Sequence, residues 1–152
     1  MKIRIEVDES LGDEIVIRCG KMDERILRMQ EAVVEKEERG FHMMLRKGET
    51  EYFLPVEDIL FFETEGKVIY AHTREHMLAT EYKLYELEEI LPGSFLRISK
   101  SAIVNLDQVY SITRSLTSSS LIEFQHSHKR AYVSRIYYKL LMERLAEKRK
   151  QM

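Results

Sequence analysis

The chain has 152 residues, of which 44% are hydrophobic and 33% are charged, and its formal net charge is −2. This composition is ordinary for one globular domain with a small extension, and it excludes a mainly disordered chain. No run is long and apolar enough for a membrane span or a signal peptide, so we expect a cytoplasmic protein. The single cysteine, Cys19, excludes a disulfide framework, and we expect it to be buried in a strand.

The small net charge conceals an uneven distribution of charged residues. Residues 1–40 carry 8 basic and 11 acidic groups, residues 41–93 carry 5 and 11, and residues 94–152 carry 11 and 4. A basic last third on an otherwise acidic body is compatible with DNA binding, and it suits an acidic surface on a partner protein equally well.

The first 40 residues predict a small ββα element. Residues 1–7 and 13–19 alternate polar and apolar side chains, which is typical of a strand pair. Over residues 21–39 the apolar side chains follow helical spacing, and Gly40 ends the predicted helix. Such a unit buries little surface alone, so we expect its apolar stripe to dock on the rest of the chain or to form a dimer interface. The candidate interface residues are Met22, Ile26, Met29 and Val33.

The chain after Gly40 is rich in predicted strands. Short extended runs separated by turn residues indicate an antiparallel meander, and a short helix over residues 82–91 ends at Pro92. The predicted strands of the meander are residues 49–54, 56–64, 67–73 and 76–80.

The last third opens with the stretch S-F-L-R-I-S-K-S-A-I-V-N-L-D-Q-V at residues 94–109. Apolar residues anchor two extended runs, and between them lie the polar and cationic residues Arg97, Ser99, Lys100 and Ser101. A short connection held between two strands displays side chains rigidly, and Lys, Arg and Ser donate hydrogen bonds to phosphates and base edges. This connection is therefore a candidate binding loop.

Further strands and a helix complete the predicted order. The strands are residues 108–113, 121–125 and 129–133, with a serine-rich connection at 115–120. Ser134 is the predicted N-cap of a final helix. Its apolar side is predicted to comprise Ile136, Leu140, Leu141 and Leu145, and residues 147–152 are predicted to form a charged, frayed tail.

The residues predict neither a catalytic site nor a metal site. Paired carboxylates lie on predicted helices, where they are usually solvated, and the six glycines are isolated, which excludes a glycine-rich phosphate loop. The pair His126 and His128 has no third ligand nearby in the sequence. We therefore expect a protein that is not an enzyme and needs no cofactor.

Three motifs resemble the LytTR DNA-binding domain. F-L-R-I-S-K-S-A-I-V-N-L-D-Q-V, which begins at Phe95, is similar to the core signature of that family. D-I-L-F-F-E-T-E-G-K-V-I-Y at 58–70 and A-Y-V-S-R-I-Y-Y-K-L-L at 131–141 agree in order and spacing. The resemblance implies a mostly β fold with short helices, built from ten mostly antiparallel strands in several sheets. We place this domain at residues 41–146, after the ββα element.

The resemblance also implies a function. LytTR domains use three interstrand loops to reach two successive major grooves of double-stranded DNA and the minor groove between them, and family members bind direct repeats. The chain is therefore expected to be a sequence-specific transcriptional regulator of promoters. On this chain the implied loops lie at Lys67, at Ser99-Lys100 and after Ser134. The candidate DNA-binding residues are Lys67, Arg97, Ser99, Lys100, Ser101, Lys129, Arg130, Ser134, Arg135 and Lys139.

Two positions depart from the family pattern. Ile136 stands where members often carry a second basic residue, so that role falls to Arg135 or Lys139. Ser99-Lys100 stands where members commonly have His-Arg, and Lys lacks the planar fork of Arg, which favours phosphate contact over base reading.

Several aromatic and polar residues in the motifs have structural roles in our interpretation. Asn105 and Asp107 are expected to fix the turn after their strand. Core packing rather than base stacking is expected for Phe61, Phe62, Tyr70 and Phe95.

The ββα element stands where the family usually carries a phosphoreceiver domain. Activity is then expected to depend on concentration, on homodimerisation or on a membrane-bound inhibitor protein encoded nearby, as the resemblance to stand-alone members implies. The residues alone leave an alternative open, a protein-interaction module whose basic third binds an acidic partner.

Overall fold

The computed structural model describes residues 4–10, 12, 14–39 and 41–150. The chain divides into two compact units, Met1–Glu38 and Arg39–Met152. The helix predicted over residues 21–39 is confirmed as α1, Glu24–Arg39. It begins later than predicted because Asp23 caps it: the Asp23 carboxylate accepts a hydrogen bond from the Ile26 backbone N–H at 3.1 Å. The predicted stop at Gly40 lies outside the described residues.

The strand pair predicted in the first unit is wrong for residues 4–7 and 14–19, which have no regular secondary structure. Residues 1–3, 11 and 13 lie outside the described residues. The apolar side chains Ile5, Val7, Ile15 and Val16 are exposed, and so is Cys19, which was predicted to be buried. A lone two-stranded hairpin is marginal in water when no apolar surface covers its face.

The second unit is mostly β. Its strands are β1 His42–Lys47, β2 Thr50–Pro55, β3 Phe61–Glu65, β4 Val68–His72, β5 Met77–Thr80, β6 Phe95–Ser99, β7 Ala102–Asn105, β8 Val109–Thr113, β9 Ser120–Phe124 and β10 Arg130–Val133. Helix α2, Leu84–Ile90, precedes β6, and helix α3, Arg135–Lys150, follows β10. The described residues thus contain ten strands with short helices, which confirms the predicted fold class.

The strands form two antiparallel sheets. The larger sheet has the order β2-β1-β5-β4-β3-β7-β6, and the smaller has the order β10-β9-β8. The strand predicted over residues 56–64 is shorter than expected, because a 3-10 turn, Val56–Asp58, follows Pro55 and the strand begins only at Phe61.

The strands β3, β6 and β7 are buried on both faces. Phe61 belongs to one core, which includes side chains of the smaller sheet and α3, whereas its neighbour Phe62 belongs to a second core, which includes side chains of α2. Side chains of a strand point alternately to the two faces of its sheet, so successive residues enter different cores. The buried positions of Phe61, Phe62 and Phe95 confirm that these rings are core residues.

Helix α3 buries Leu141 and Leu145 as predicted, but not Ile136 or Leu140. Tyr137, Tyr138, Leu141 and Leu145 pack against the first core, whereas Ile136 is 85% exposed. At about 100° per residue, Ile136 lies about 140° around the helix from Leu141 and therefore faces away from the core.

The helix also continues to Lys150, where a frayed tail from residue 147 was predicted. Two side chains of its last turns hold it to the body: Lys148 forms an ion pair with Asp107, and the Arg144 guanidinium donates a hydrogen bond to the Gly93 carbonyl at 3.4 Å.

Candidate nucleic-acid interface

The three predicted loops lie together at one end of the second unit. Antiparallel pairing of Glu63 with Ala102 sets the end of β3 beside the start of β7. The Thr64 backbone N–H donates a hydrogen bond to the Ser101 carbonyl at 2.8 Å. The Ser134 N–H donates to the Ile98 carbonyl, also at 2.8 Å. These contacts join the turn at residues 66–67, the loop at 99–101 and the start of α3, and we call this region the loop end.

The β3–β4 turn presents Lys67. Gly66 has φ +64°, and a positive φ at the first position of a two-residue hairpin loop is what a type II′ turn requires. Lys67 itself is exposed. Two acidic side chains precede the turn on β3, and burial together with the nearby Glu65 carboxylate raises the pKa of Glu63. The turn therefore carries charges of both signs.

The loop at residues 99–101 presents Lys100 at its apex. A β-bulge shifts the pairing of β6 with β7 between Arg97 and Ser99, which bends the strand as it enters the loop. The Ser99 hydroxyl then accepts a hydrogen bond from the Ser101 N–H at 3.1 Å. Lys100 is exposed, and its ammonium group makes no hydrogen bond within the described residues. The loop is thus ordered and its cation is free.

Arg97 directs its guanidinium group towards this loop. Its Nε donates to the Ser99 carbonyl at 2.7 Å, and its Nη2 donates to the Lys100 carbonyl at 2.5 Å. Its Nη1 forms an ion pair with Glu88 of α2. With a side chain only 21% exposed, Arg97 is far less accessible than the other candidate cations of the loop end.

The start of α3 presents two cations but lacks the predicted side-chain cap. The Ser134 carbonyl accepts hydrogen bonds from the N–H groups of Tyr137 and Tyr138, both at 3.1 Å, so the residue occupies the N-cap position. Its hydroxyl, however, is buried without a hydrogen-bond partner. Arg135 and Lys139 are exposed, one helical turn apart. A cation in the first turn is unfavourable for the helix dipole, so stability does not account for Arg135.

A further cation at the loop end was missed in the sequence. Pairing of Ser120 with Val133 and of Thr113 with Leu121 sets the loop at residues 114–119 beside the start of α3. Arg114 is exposed, and its guanidinium carbon lies 5.0 Å from the centre of the Tyr138 ring. The signal for this residue was an arginine that opens a serine-rich connection between two strands.

Lys129 and Arg130 lie apart from the other candidates. Arg130 is the first residue of β10, and Lys129 comes just before it. Arg130 lies about 10 Å along the strand from Val133, the residue before Ser134. The Lys129 ammonium contacts His72 Nδ1 at 3.4 Å and donates to the His76 carbonyl. The structure therefore does not bring these two residues to the loop end.

His72 is partly buried beside Lys129. Its ring stacks on Phe61 with the ring centres 4.3 Å apart. Burial, and next the Lys129 charge, lower the pKa of His72 from its ordinary value of 6.5 to about 4. Burial likewise lowers the pKa of Lys129. This contact is therefore a structural feature of the end opposite to the loop end.

Asn105 fixes the turn after β7, as predicted. Its amide Nδ2 donates to the Ile59 carbonyl at 2.9 Å, and its Oδ1 accepts from the Asp107 N–H at 3.1 Å. The side chain is 1% exposed and caps the 3-10 turn Leu106–Gln108.

The predicted dimer stripe in α1 is only partly exposed. Ile26 is 6% exposed, Met29 and Val33 are half-buried, and Met22 is exposed. The flank of the stripe at Leu27 and Val34 is also exposed.

Among the described residues, no helix is both long and apolar enough to cross a membrane.

The fold and the loop end together fit a class of protein. A β-rich body that gathers basic side chains on interstrand loops is suited to strand-based and loop-based contact with nucleic acid, in contrast to architectures that insert a recognition helix. Residues 49–146 match the family described as the LytTr DNA-binding domain. This chain belongs to the LytTR family.

A solved structure agrees with this assignment, and two relatives are named as transcriptional regulators. An uncharacterized HTH-type transcriptional regulator of Staphylococcus aureus strain bovine RF122 / ET3-1 is 27% identical over 148 residues, which cover 96% of this chain and 99% of the relative. Another from strain MSSA476 is 33% identical over 95 residues, which cover 62% of this chain and 64% of the relative. A LytTr DNA-binding domain from Bacillus cereus has a TM-score of 0.63 and 26% identity, and the match covers 68% of this chain and 95% of that chain.

The relatives' names mention a helix-turn-helix, but this chain does not show one in its described residues. Strands separate α1 from α2 and α2 from α3, so no two described helices follow each other along the chain. The exposed basic groups at the loop end lie on turns and in the first turns of one helix.

The depressed pKa of His72 predicts an acid-sensitive fold. Between pH 6.5 and about 4 the unfolded imidazole binds a proton that the folded one does not, so the free energy of unfolding falls as the pH falls through this range. Between these two pH values we expect the free energy of unfolding to fall by roughly 1–2 kcal/mol more in wild type than in His72→Gln. This difference is smaller than the full linkage value because His72 is partly exposed. Urea denaturation at both pH values measures this difference. His128→Gln, at an exposed histidine, is the control, and equal losses in wild type and His72→Gln would contradict the prediction.

Proposed function

We propose that this protein is a sequence-specific transcriptional regulator that binds double-stranded DNA through its loop end. The observation that carries the proposal is the pair of backbone hydrogen bonds, from Thr64 to Ser101 and from Ser134 to Ile98, which joins three loops of a LytTR domain into one surface. Exposed cations at this end supply the charge that phosphate contacts need. They are Lys67, Lys100, Arg114, Arg135 and Lys139.

Two of these cations, Lys100 and Arg135, have proposed roles that follow from their chemistry. Lys100 is a flexible point charge at the apex of a short loop, which suits a phosphate oxygen. Arg135 carries a planar fork and starts a helix, so we assign it a bidentate contact to a guanine edge in the major groove. The first-turn N–H groups of α3 receive no side-chain cap from Ser134 and can donate to a phosphate.

Ile136 supplies an apolar contact in the same proposal. It is 85% exposed beside Arg135, on the side of α3 that faces away from the core. An apolar side chain in the major groove can contact the methyl group of thymine. The departure from a basic residue at this position therefore supports a different base preference rather than a lost contact.

The proposed interface omits two of the residues predicted from the sequence. Lys129 and Arg130 lie at the start of β10, whereas the loop end adjoins the other end of that strand. The Lys129 ammonium is also engaged by His72 and His76. We therefore assign neither residue a contact with bases.

We further propose that two protomers bind one direct repeat and that a homodimer forms through α1. Because Ile26 is already buried, the proposed contact uses Met22 and the exposed flank at Leu27 and Val34. Regulation by a membrane-bound inhibitor protein encoded nearby is supported by the family resemblance alone.

Lys100→Ala tests the phosphate contact. A preferred duplex is first selected from a random pool with the full chain, and a shuffled duplex serves for comparison. We expect the variant to weaken binding to both duplexes by a similar factor and to reduce the slope of log affinity against log salt by about 0.9, because one phosphate contact is lost. Fluorescence anisotropy at several salt concentrations measures both quantities.

Lys47→Ala is the matched control, since Lys47 is an exposed lysine at the hairpin end of β1, opposite to the loop end. The same loss in both variants would contradict the proposed interface. If wild type bound the selected and shuffled duplexes equally and feebly, the alternative function, binding of an acidic partner protein, would be favoured instead.

Arg135→Ala tests base reading. We expect it to weaken binding to the selected duplex by about 1–3 kcal/mol and to relax selection at one base pair, because a bidentate contact to guanine is lost. Repeating the selection with the variant measures the change of specificity. Arg130→Ala removes the same side chain at the far end of β10 and should leave selection unchanged; an unchanged preference in Arg135→Ala would refute the assignment.

Leu27→Glu tests the proposed dimer. A charge on the exposed flank of α1 should shift sedimentation velocity from dimer to monomer, because burying an unpaired carboxylate is costly. Ala32→Glu introduces the same carboxylate on an exposed part of α1 about 140° around the helix from Leu27 and serves as control. An intact dimer in Leu27→Glu would exclude this surface.

A further inference from the structure

Arg97 and Glu88 form a connection between α2 and the loop at residues 99–101. The two residues lie on different elements, since Glu88 belongs to α2 and Arg97 to β6. The Arg97 guanidinium pairs with the Glu88 carboxylate and also donates to the Ser99 and Lys100 carbonyls. The Arg97 side chain thus links two successive backbone carbonyls of the loop to helix α2, which packs against the body of the second unit.

The β-bulge and the turn after it leave backbone carbonyls that need other donors. Residue pairing between β6 and β7 shifts between Arg97 and Ser99, so Ile98 has no partner in the ladder, and its carbonyl accepts from the Ser134 N–H. Ser99 pairs with Ala102, and the Lys100 carbonyl lies in the turn beyond this pair, where a donor from Arg97 lowers its free energy. The planar fork of arginine reaches two acceptors and a carboxylate at once, which an ammonium group cannot do in the same geometry.

Helix α2, which carries Glu88, is held in place by its buried side chains. Leu84 and Leu87 of α2 are buried in the second core together with Ile103, the residue that pairs with Arg97 across the ladder. The apex residue Lys100 makes no side-chain hydrogen bond of its own within the described chain, so its position depends on the backbone beneath it.

We infer that the Glu88–Arg97 pair is a positioning device that holds Lys100 in place for DNA, and that Arg97 itself does not contact DNA. This inference rests on the proposed function and adds two positioning residues to it. Glu88 is the informative member, because its negative charge lies near a surface proposed to bind a polyanion. Simple electrostatics predicts that its removal strengthens DNA binding. A positioning role predicts the opposite.

Glu88→Gln therefore gives a test in which the two explanations differ in sign. We expect binding of the full chain to the selected duplex to weaken about two- to fivefold, the size of effect of a half-exposed ion pair. Glu89→Gln removes the same charge from the next residue of α2, which is exposed and unpaired within the described residues, and should leave affinity unchanged or slightly improved. Unchanged or tighter binding by Glu88→Gln would overturn the inference.

A double-variant cycle isolates the pair. Arg97→Gln should weaken binding while leaving the salt slope at its wild-type value, because no phosphate contact is lost. In the Arg97→Gln background, Glu88→Gln should cause no further weakening, since the connection is already broken. A slope reduced by about 0.9 in Arg97→Gln would show instead that Arg97 touches a phosphate and would overturn the inference.

Amide hydrogen exchange of the free protein tests the same device without DNA. The Ser101 N–H donates to Ser99, and the Thr64 N–H donates to Ser101, so both report on the order of the loop. We expect both amides to exchange faster in Glu88→Gln than in Glu89→Gln, and equal rates would count against the inference. If wild type shows no sequence preference for DNA, the proposed function fails, whereas this measurement still decides whether the pair orders the loop.

Discussion

The fold depends on burying both faces of β3, β6 and β7. Each of these strands sends alternate side chains into two separate cores, as Phe61 and Phe62 do on β3 and as Ile103 and Val104 do on β7. A sheet with two apolar faces needs a cover on each of them. Helix α2 supplies one cover, and the smaller sheet with α3 supplies the other. The remaining strands extend the larger sheet beyond this doubly covered region.

This constraint also creates the candidate interface. Connections between buried strands cannot stay in the core, because their backbone groups need water or other partners, so they emerge at the ends of the strands. The turn at residues 66–67 and the loop at 99–101 emerge from adjacent strand pairs and so lie about two strand spacings apart, or about 10 Å. Packing of α3 over the same strands brings Arg135 to that end. The spacing of the loops is therefore a property of the core.

Much of this arrangement was predictable from local pattern, and the failures have physical causes. Alternation and turn residues predicted most strands, and the family motifs predicted the three loops. Alternation also predicted a strand pair before residue 20, where the apolar side chains of Ile5, Val7, Ile15 and Val16 are exposed. Spacing of four residues put Ile136 on the wrong side of α3, because the aromatic residues Tyr137 and Tyr138 complete the buried stripe. The opposite placement of Lys129 and the contacts of Arg97 with the loop and with Glu88 depend on the tertiary structure, which no local pattern contains.

The charge distribution fits a binding surface whose affinity depends on how precisely a few cations are positioned. Residues 41–93 carry 11 acidic groups against 5 basic ones, so this part of the body repels a polyanion, whereas the loop end gathers several exposed cations. Non-specific affinity for DNA grows with the number of phosphates that a protein neutralises. A chain with few such contacts gains affinity chiefly where each cation meets its target without reordering a loop. If Lys100 contacts DNA as proposed, fixing it through a bulge, two serines and an arginine therefore contributes more to affinity than another surface lysine would.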